Sequence, residues 1–193
     1  MTISSGSRLG PYEVISPLGA GGMGEVYRAR DTRLDRTVAL KVSKTEFTQR
    51  FEREARVVAS LNHPNICQLY DVGPDYLVME YLEGETLAAR LARGALPLDQ
   101  ALQVGIQIAD ALDTAHRKAV VHRDLKPANI MLTKSGAKLL DFELARIEPQ
   151  VAEGDSTVTM GITNPGTVLG TFQYMAPEQL ERPSPLSKTG RLV

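Results

Sequence analysis

The chain has no tryptophan, one cysteine and only 5% aromatic residues among its 193 positions. A single thiol, Cys67, leaves no internal disulfide and no cysteine-built zinc site. Neither sign of charge is in excess: 22 Lys and Arg stand against 23 Asp and Glu, a net charge of -1. That balance excludes a broadly basic nucleic-acid binder, and no nucleic-acid partner is expected. No apolar run reaches the roughly 18 residues a membrane-spanning helix needs. Met1 to Gly10 lacks an apolar core and reads as neither signal peptide nor anchor. The expectation is therefore a cytoplasmic protein with no membrane segment in this chain. What is present is ordinary globular composition, 42% hydrophobic and 23% charged. A chain of this length can bury about 70% of its unfolded surface.

The pattern along the chain changes period. Tyr12–Leu18, Glu25–Arg30 and Thr37–Val42 read as strands around a glycine-rich loop and a polar turn. Phe51, Ala55, Val58 and Leu61 then recur at helical spacing within Glu46–Leu61, and Asn62-His63-Pro64-Asn65 stops that helix. Ile66–Val72 and Tyr76–Tyr81 read as two more strands. Beyond Gly84 the pattern is helical, and Leu98–Lys118 is the longest element, with Leu102, Ile106, Ala109, Leu112 and His116 on one stripe. Two short strands are expected at Ile130–Thr133 and Ala137–Leu140. Glu148 to Gly170 reads as a long loop, and Leu180 to Val193 as a polar tail.

Gly19, Gly21 and Gly24 fit G-x-G-x-x-G, with Val26 completing the extended form. Glycines let backbone N–H groups approach a phosphate closely. Alone, the pattern also suits a flexible hairpin. A dinucleotide-binding loop needs a helix directly after it, whereas a strand follows here. A Walker loop needs Lys after its last glycine, whereas Glu25 follows Gly24. A strand–loop–strand hairpin over a phosphate is the arrangement left. Lys41 ends the apolar run Val38-Ala39-Leu40, a costly place for an ammonium without a partner. Glu54, beside Ala55 on the following helix, is the expected partner; Glu52, Arg53 and Arg56 are expected to be solvated.

The most specific segment is His122-Arg123-Asp124-Leu125-Lys126-Pro127-Ala128-Asn129. It matches the H-R-D-L-x-x-x-N catalytic loop, and the chain here resembles the eukaryotic-type (Hanks-type) protein kinases, in their serine/threonine branch. Asp141-Phe142-Glu143 stands where that family has D-F-G, and Ala176-Pro177-Glu178 matches A-P-E. Five motifs in the right order carry the resemblance over Tyr12–Gln179, and their style is similar to bacterial members. The resemblance implies an α+β, bilobal protein-kinase-like fold. It divides the chain into a tail (1–11), a five-stranded antiparallel N-lobe with one helix plus the hinge (12–82), part of a mainly helical C-lobe (83–179), and an atypical polar tail (180–193).

The resemblance also implies roles. The activity would be ATP- and Mg²⁺-dependent transfer of phosphate to Ser/Thr hydroxyls of protein substrates. Asp124 would orient the substrate hydroxyl and take its proton, Lys126 would steady the γ-phosphate, and Asn129 and Asp141 would hold Mg²⁺. Lys41, paired with Glu54, would hold the α- and β-phosphates. The phosphates would lie under Gly19, Ala20, Gly21, Gly22, Met23, Gly24 and Glu25. Leu18, Val26 and Ala39 would roof the adenine and Met131 would floor it. Met79 fits the gatekeeper position, with Glu80 to Leu82 as the hinge. Arg123 would meet an activation-loop phosphate, with Thr163 and Thr167 as acceptors and Thr171 contacting Asp124. His63, His116 and His122 read as structural, and Cys67 as a small apolar residue.

Two departures bear on function. Kinases of this family continue past A-P-E into helices that complete the larger lobe, so apolar surface on Leu98–Lys118 is expected to be exposed and to favour self-association. Glu143 replaces a glycine beside the metal-binding Asp141. A non-glycine residue forced to positive φ costs roughly 1–2 kcal/mol there. A pseudokinase-like nucleotide-binding scaffold, or an inactive fragment, is the alternative these departures leave open. The Glu143→Gly variant is expected to show higher Mg²⁺-dependent turnover than the natural sequence; unchanged metal dependence and turnover would refute that.

Overall fold

The structure, a computed structural model, describes residues 3–21, 24–43, 47–142 and 174. Its first part is a six-stranded antiparallel sheet in the order β1-β2-β3-β4-β6-β5. The strands are β1 (Arg8–Leu9), β2 (Tyr12–Gly21), β3 (Gly24–Asp31), β4 (Arg36–Val42), β5 (Leu69–Val72) and β6 (Tyr76–Glu80). Strand alternation sorts the side chains onto two faces. Val38 and Leu40 of β4 join Tyr12, Val14, Tyr27, Ala29, Tyr76 and Val78 in one buried cluster. Ala39 and Lys41 point the other way, in register with Met79 and Leu77 of β6.

Helix α1 (Gln49–Ala59) closes part of that second face. Thr48 caps it, its side chain accepting a hydrogen bond from the Phe51 N–H, and Glu52 in the first turn suits the helix dipole. Phe51 and Ala55 pack with Leu69 and Leu77. The second part of the chain comprises β7 (Gly84–Thr86), α2 (Leu87–Leu91), α3 (Leu98–Arg117), a 3₁₀ turn at Pro127–Asn129, and the hairpin β8 (Ile130–Thr133) and β9 (Gly136–Leu139). Strands β7, β8 and β9 form a second small sheet.

The two parts are joined by backbone as well as by the hinge. Ile66 bridges Leu139 in parallel, the Cys67 N–H donates to the Leu139 carbonyl, and the Leu139 N–H donates to the Asn65 carbonyl, both at 2.8 Å. Leu61 and Ile66 are thereby buried with Ile108, Ala111, Ala115, Ile130, Ala137, Leu139 and Phe142. No helix among the described residues is long and apolar enough to cross a membrane.

Several sequence expectations need correcting. The first sheet has six strands, not five, because Gly10 adopts φ 57° and turns Arg8–Leu9 back onto β2. The strand expected from Ile66 starts at Leu69, since residues 65–67 pair with β9 instead. The glycine segment forms the expected hairpin, but the strand pairing reaches further into it than the composition suggests, with Gly21 opposite Gly24. Gly24 has φ 136°, and a Cβ there would meet the Val42 carbonyl oxygen at 1.9 Å, so the close approach of β4 demands glycine. On α3 the expected stripe is exposed at Leu102 and Ile106, in keeping with the apolar surface expected there, and at His116, which was expected to be structural; Leu112 is half-buried, and the buried residues are Ile108, Ala111 and Ala115. Alanines let α3 approach β9 closely, which leucines would prevent. Leu139→Ala is expected to destabilise the chain by about 2–5 kcal/mol, and Ile106→Gln by less than about 0.5 kcal/mol, in denaturant unfolding.

Candidate active site

The catalytic-loop sequence folds around a strained residue. Arg123 takes φ 62°, and the Asp124 N–H donates across it to the His122 carbonyl at 2.8 Å, a γ-turn. Such a residue costs about 1–3 kcal/mol and persists only where its surroundings hold it. The holding groups are visible on both sides. His122 is buried, its Nε2 bonds the Leu140 carbonyl at 2.8 Å, and its ring lies 4.8 Å from the Phe142 ring. Burial pushes the His122 imidazolium below its usual range, so the ring is neutral, and the Leu140 carbonyl requires Nε2 to carry the proton.

On the other side of the turn, Asn129 is buried at the end of the 3₁₀ turn. Its Nδ2 donates to both the backbone carbonyl and Oδ2 of Asp124, each at 2.8 Å. Lys126 Nζ lies 2.7 Å from the same Oδ2. One carboxylate oxygen of Asp124 is thus fixed by an amide and an ammonium. The Leu140 N–H donates to the Asn129 carbonyl at 2.9 Å, which carries the chain from Asn129 to Asp141. Asp141 also has positive φ, 46°, and its Oδ1 meets Lys41 Nζ at 2.9 Å.

Sequence reading set Lys41 against Glu54 and did not anticipate this contact. The ion pair brings to Lys41 a carboxylate from the other lobe. Glu54 lies half-buried on α1, next to the fully buried Ala55. Around Lys41, cross-strand pairing aligns Val26 with Lys41 and Ala39 with Met79. Gly19 faces Val26 and Ala20 faces Glu25, whose carboxylate accepts from the Tyr27 hydroxyl. Leu18 is half exposed. Met131 on β8 stands opposite Thr86 and Lys138. At the end of β6, the Glu80 N–H is taken by the Gln68 carbonyl at 2.8 Å, and Leu82 follows outside the sheet. Gly22, Met23, Glu143, Thr163, Thr167, Thr171 and the A-P-E segment lie outside the described residues.

The donor set fits a hard divalent cation. Asn129 has its nitrogen committed to Asp124, so its amide oxygen is the atom left for a metal. Asp141 adds a carboxylate. Two side-chain oxygen donors are what Mg²⁺ takes when phosphates complete its octahedron.

Sequence reasoning overlooked two groups beside this site. Lys138 pairs with Glu80, and Arg28 lies over the Tyr81 ring. His63, read as structural, bonds Asp110 through Nε2 at 3.1 Å. Strand alternation alone could have flagged Lys138, a cation between the buried Ala137 and Leu139. Cys67 is held off reactivity, since burial and the Glu80 carboxylate push its thiol up to about 12.

Comparison with known proteins decides the family. The model of the protein kinase domain matches residues 12–190. The chain belongs to the protein kinase family. A probable serine/threonine-protein kinase of Streptomyces coelicolor is 45% identical over 95% of this chain and 29% of its own length. The serine/threonine-protein kinase PknB of Mycobacterium leprae is 42% identical over 87% of this chain and 28% of its own. The chain therefore spans under a third of the length of these curated relatives. Among solved structures, the Mycobacterium tuberculosis PknI kinase domain superposes with a TM-score of 0.68 at 34% identity, covering 75% of this chain and 64% of that one. Rad53 in complex with AMP-PNP gives a TM-score of 0.63 at 31% identity, over 69% of this chain and 38% of that one. The kinase fold expected from the motifs is thus shown, as is kinship with bacterial Ser/Thr kinases. Proteins of this family use ATP with a divalent metal.

In this kinase domain the buried neutral His122 has a pH consequence. Its folded pKa lies below the ordinary 6.5, so the unfolded chain binds the proton first as pH falls. Stability is full above about pH 6.5 and is lost as the pH drops through the depressed folded value. Urea midpoints measured from pH 7.5 to 5.5 should fall for the natural sequence, and less steeply for His122→Gln.

Proposed function

We propose that this chain is an ATP-dependent protein serine/threonine kinase that works with Mg²⁺ in the cytoplasm. The observation that carries the reading is Asp124, held by Asn129 and Lys126 on one oxygen, with no bond from the described residues to the other. A carboxylate placed so, at the tip of a rigid γ-turn, is suited to accept a hydroxyl proton. The substrate Ser or Thr oxygen attacks the γ-phosphorus, its proton passes to Asp124, and the bond to the β-γ bridging oxygen breaks to release ADP. Lys126 stands beside Asp124 and meets charge on the transferring group. Lys41 gives its ammonium to the α- and β-phosphates, and the β2–β3 hairpin presents backbone N–H groups to them. Asn129 Oδ1 and the Asp141 carboxylate would hold Mg²⁺, which supplies charge neutralisation on the phosphates when bound.

The adenine is expected between Ala39 and Val26 above and Met131 below. Because the Glu80 N–H is committed to Gln68, the hinge is left to offer the Glu80 carbonyl and the Leu82 N–H to the base. The complex of Rad53 with AMP-PNP, an ATP analogue, on a similar fold supports nucleotide binding in this cleft. Lys126, two residues after Asp124, favours Ser/Thr over Tyr as acceptor, in line with the names of the relatives.

Labelled γ-phosphate transfer to a Ser-rich protein should drop by about 10²–10⁴-fold in Asp124→Asn, while nucleotide still raises the melting temperature of that variant. Equal transfer by both proteins, or none by the natural chain, would count against the reading.

A further inference from the structure

One ion pair near the site is not used by the chemistry above. Lys138 Nζ contacts both carboxylate oxygens of Glu80, at 2.9 and 2.8 Å. An exposed pair of this kind contributes little. This one is not exposed, since the two side chains retain only 13% and 25% of their accessible surface. Its location is also specific. Glu80 ends β6 and begins the hinge; Lys138 lies on β9, three residues before Asp141 and opposite Met131. Glu80 is tied twice more, by the Gln68 N–H to Oε2 at 3.3 Å and by its own N–H to the Gln68 carbonyl at 2.8 Å. The Cys67 Sγ approaches its carbonyl at 3.6 Å, and the Cys67 N–H binds Leu139, the neighbour of Lys138.

We propose that Lys138 is a positioning residue that locks the hinge to the strand leading into Asp141, so that the Glu80 carbonyl is already aimed into the cleft before nucleotide arrives. The pair joins the two lobes directly beside that carbonyl. Fixing it in advance lowers the ordering cost of binding and tightens nucleotide affinity. The affinity part of this inference rests on the kinase reading; the hinge part does not.

The test uses the 193-residue chain. Calorimetric titration with Mg²⁺ and AMP-PNP gives affinity, and hydrogen exchange at residues 79–82 gives hinge order without nucleotide. Lys138→Met is expected to weaken binding by about fivefold or more and to speed exchange of the Glu80 amide by about tenfold. The reversed pair, Glu80→Lys with Lys138→Glu, should bring both back towards the natural values. Should Lys138→Met lose its cooperative melt, Glu80→Gln with Lys138→Met, which leaves no unpaired charge, takes its place with the same expectation. Natural affinity and natural exchange in these variants overturn the proposal. So do losses that charge reversal fails to restore, or a neutral double variant that cannot fold, since the pair is then a folding requirement only. A natural chain that binds no nucleotide refutes the kinase reading, and the exchange arm still decides the hinge inference.

Discussion

An ammonium on the inner face of an apolar sheet needs a counter-charge close by, because desolvating it alone would shift or destroy its charge. Lys41 is in that position, with its side chain only 16% exposed. Its carboxylate partner at 2.9 Å comes from Asp141, far along the chain and on the other lobe. This contact fixes the relation of the sheet to the hairpin β8–β9. It also sets the two groups expected to grip phosphate and metal against each other before either ligand arrives. On the proposed function, a Mg²⁺ nucleotide would bring charge for both: phosphates for Lys41 and a cation for Asp141. The ion pair keeps the cleft electrostatically matched without a ligand, and ligand contacts of the same signs would replace it.

The same economy governs the catalytic loop. The positive φ values of Arg123 and Asp141 are strained, and both are bracketed by the ring stack of His122 on Phe142 and the backbone bonds through Leu140 and Asn129. Residues whose side chains do no chemistry hold those that are expected to. His122 illustrates the point: neutral, buried and hydrogen-bonded to Leu140, it is unsuited to acid–base work but well suited to fixing a turn.

Local information explains what could be seen in the sequence. Period-two runs such as Val38 to Val42 located the strands, and the contiguous run His122 to Asn129 located most of the site, because its members lie within one turn of chain. What escaped was non-local or degenerate. A two-residue strand such as Arg8–Leu9 has no period to detect. Helix α3 carries apolar residues on two faces, Leu102 and Ile106 on one, Ile108, Ala111 and Ala115 on the other. Hydrophobicity favoured the larger side chains, while the packing distance to β9 favoured the smaller. Helical spacing offers Glu54 as a partner for Lys41, but a contact spanning the chain from Lys41 to Asp141 leaves no periodic trace. The pairing of Lys138 with Glu80 has the same character.

Three of the long-range contacts missed by sequence reading share one location. Ile66 with Leu139, Cys67 with Leu139 and Lys138 with Glu80 all lie at the back of the cleft, where the segment after α1 crosses from one lobe to the other. At the front of the cleft, by contrast, Lys41 and Asp141 join the lobes side chain to side chain. Backbone hydrogen bonds thus join the lobes on one side, while on the other stands an ion pair whose charges a ligand could take over. That difference suits the proposed phosphoryl transfer, in which phosphates must be enclosed and then released.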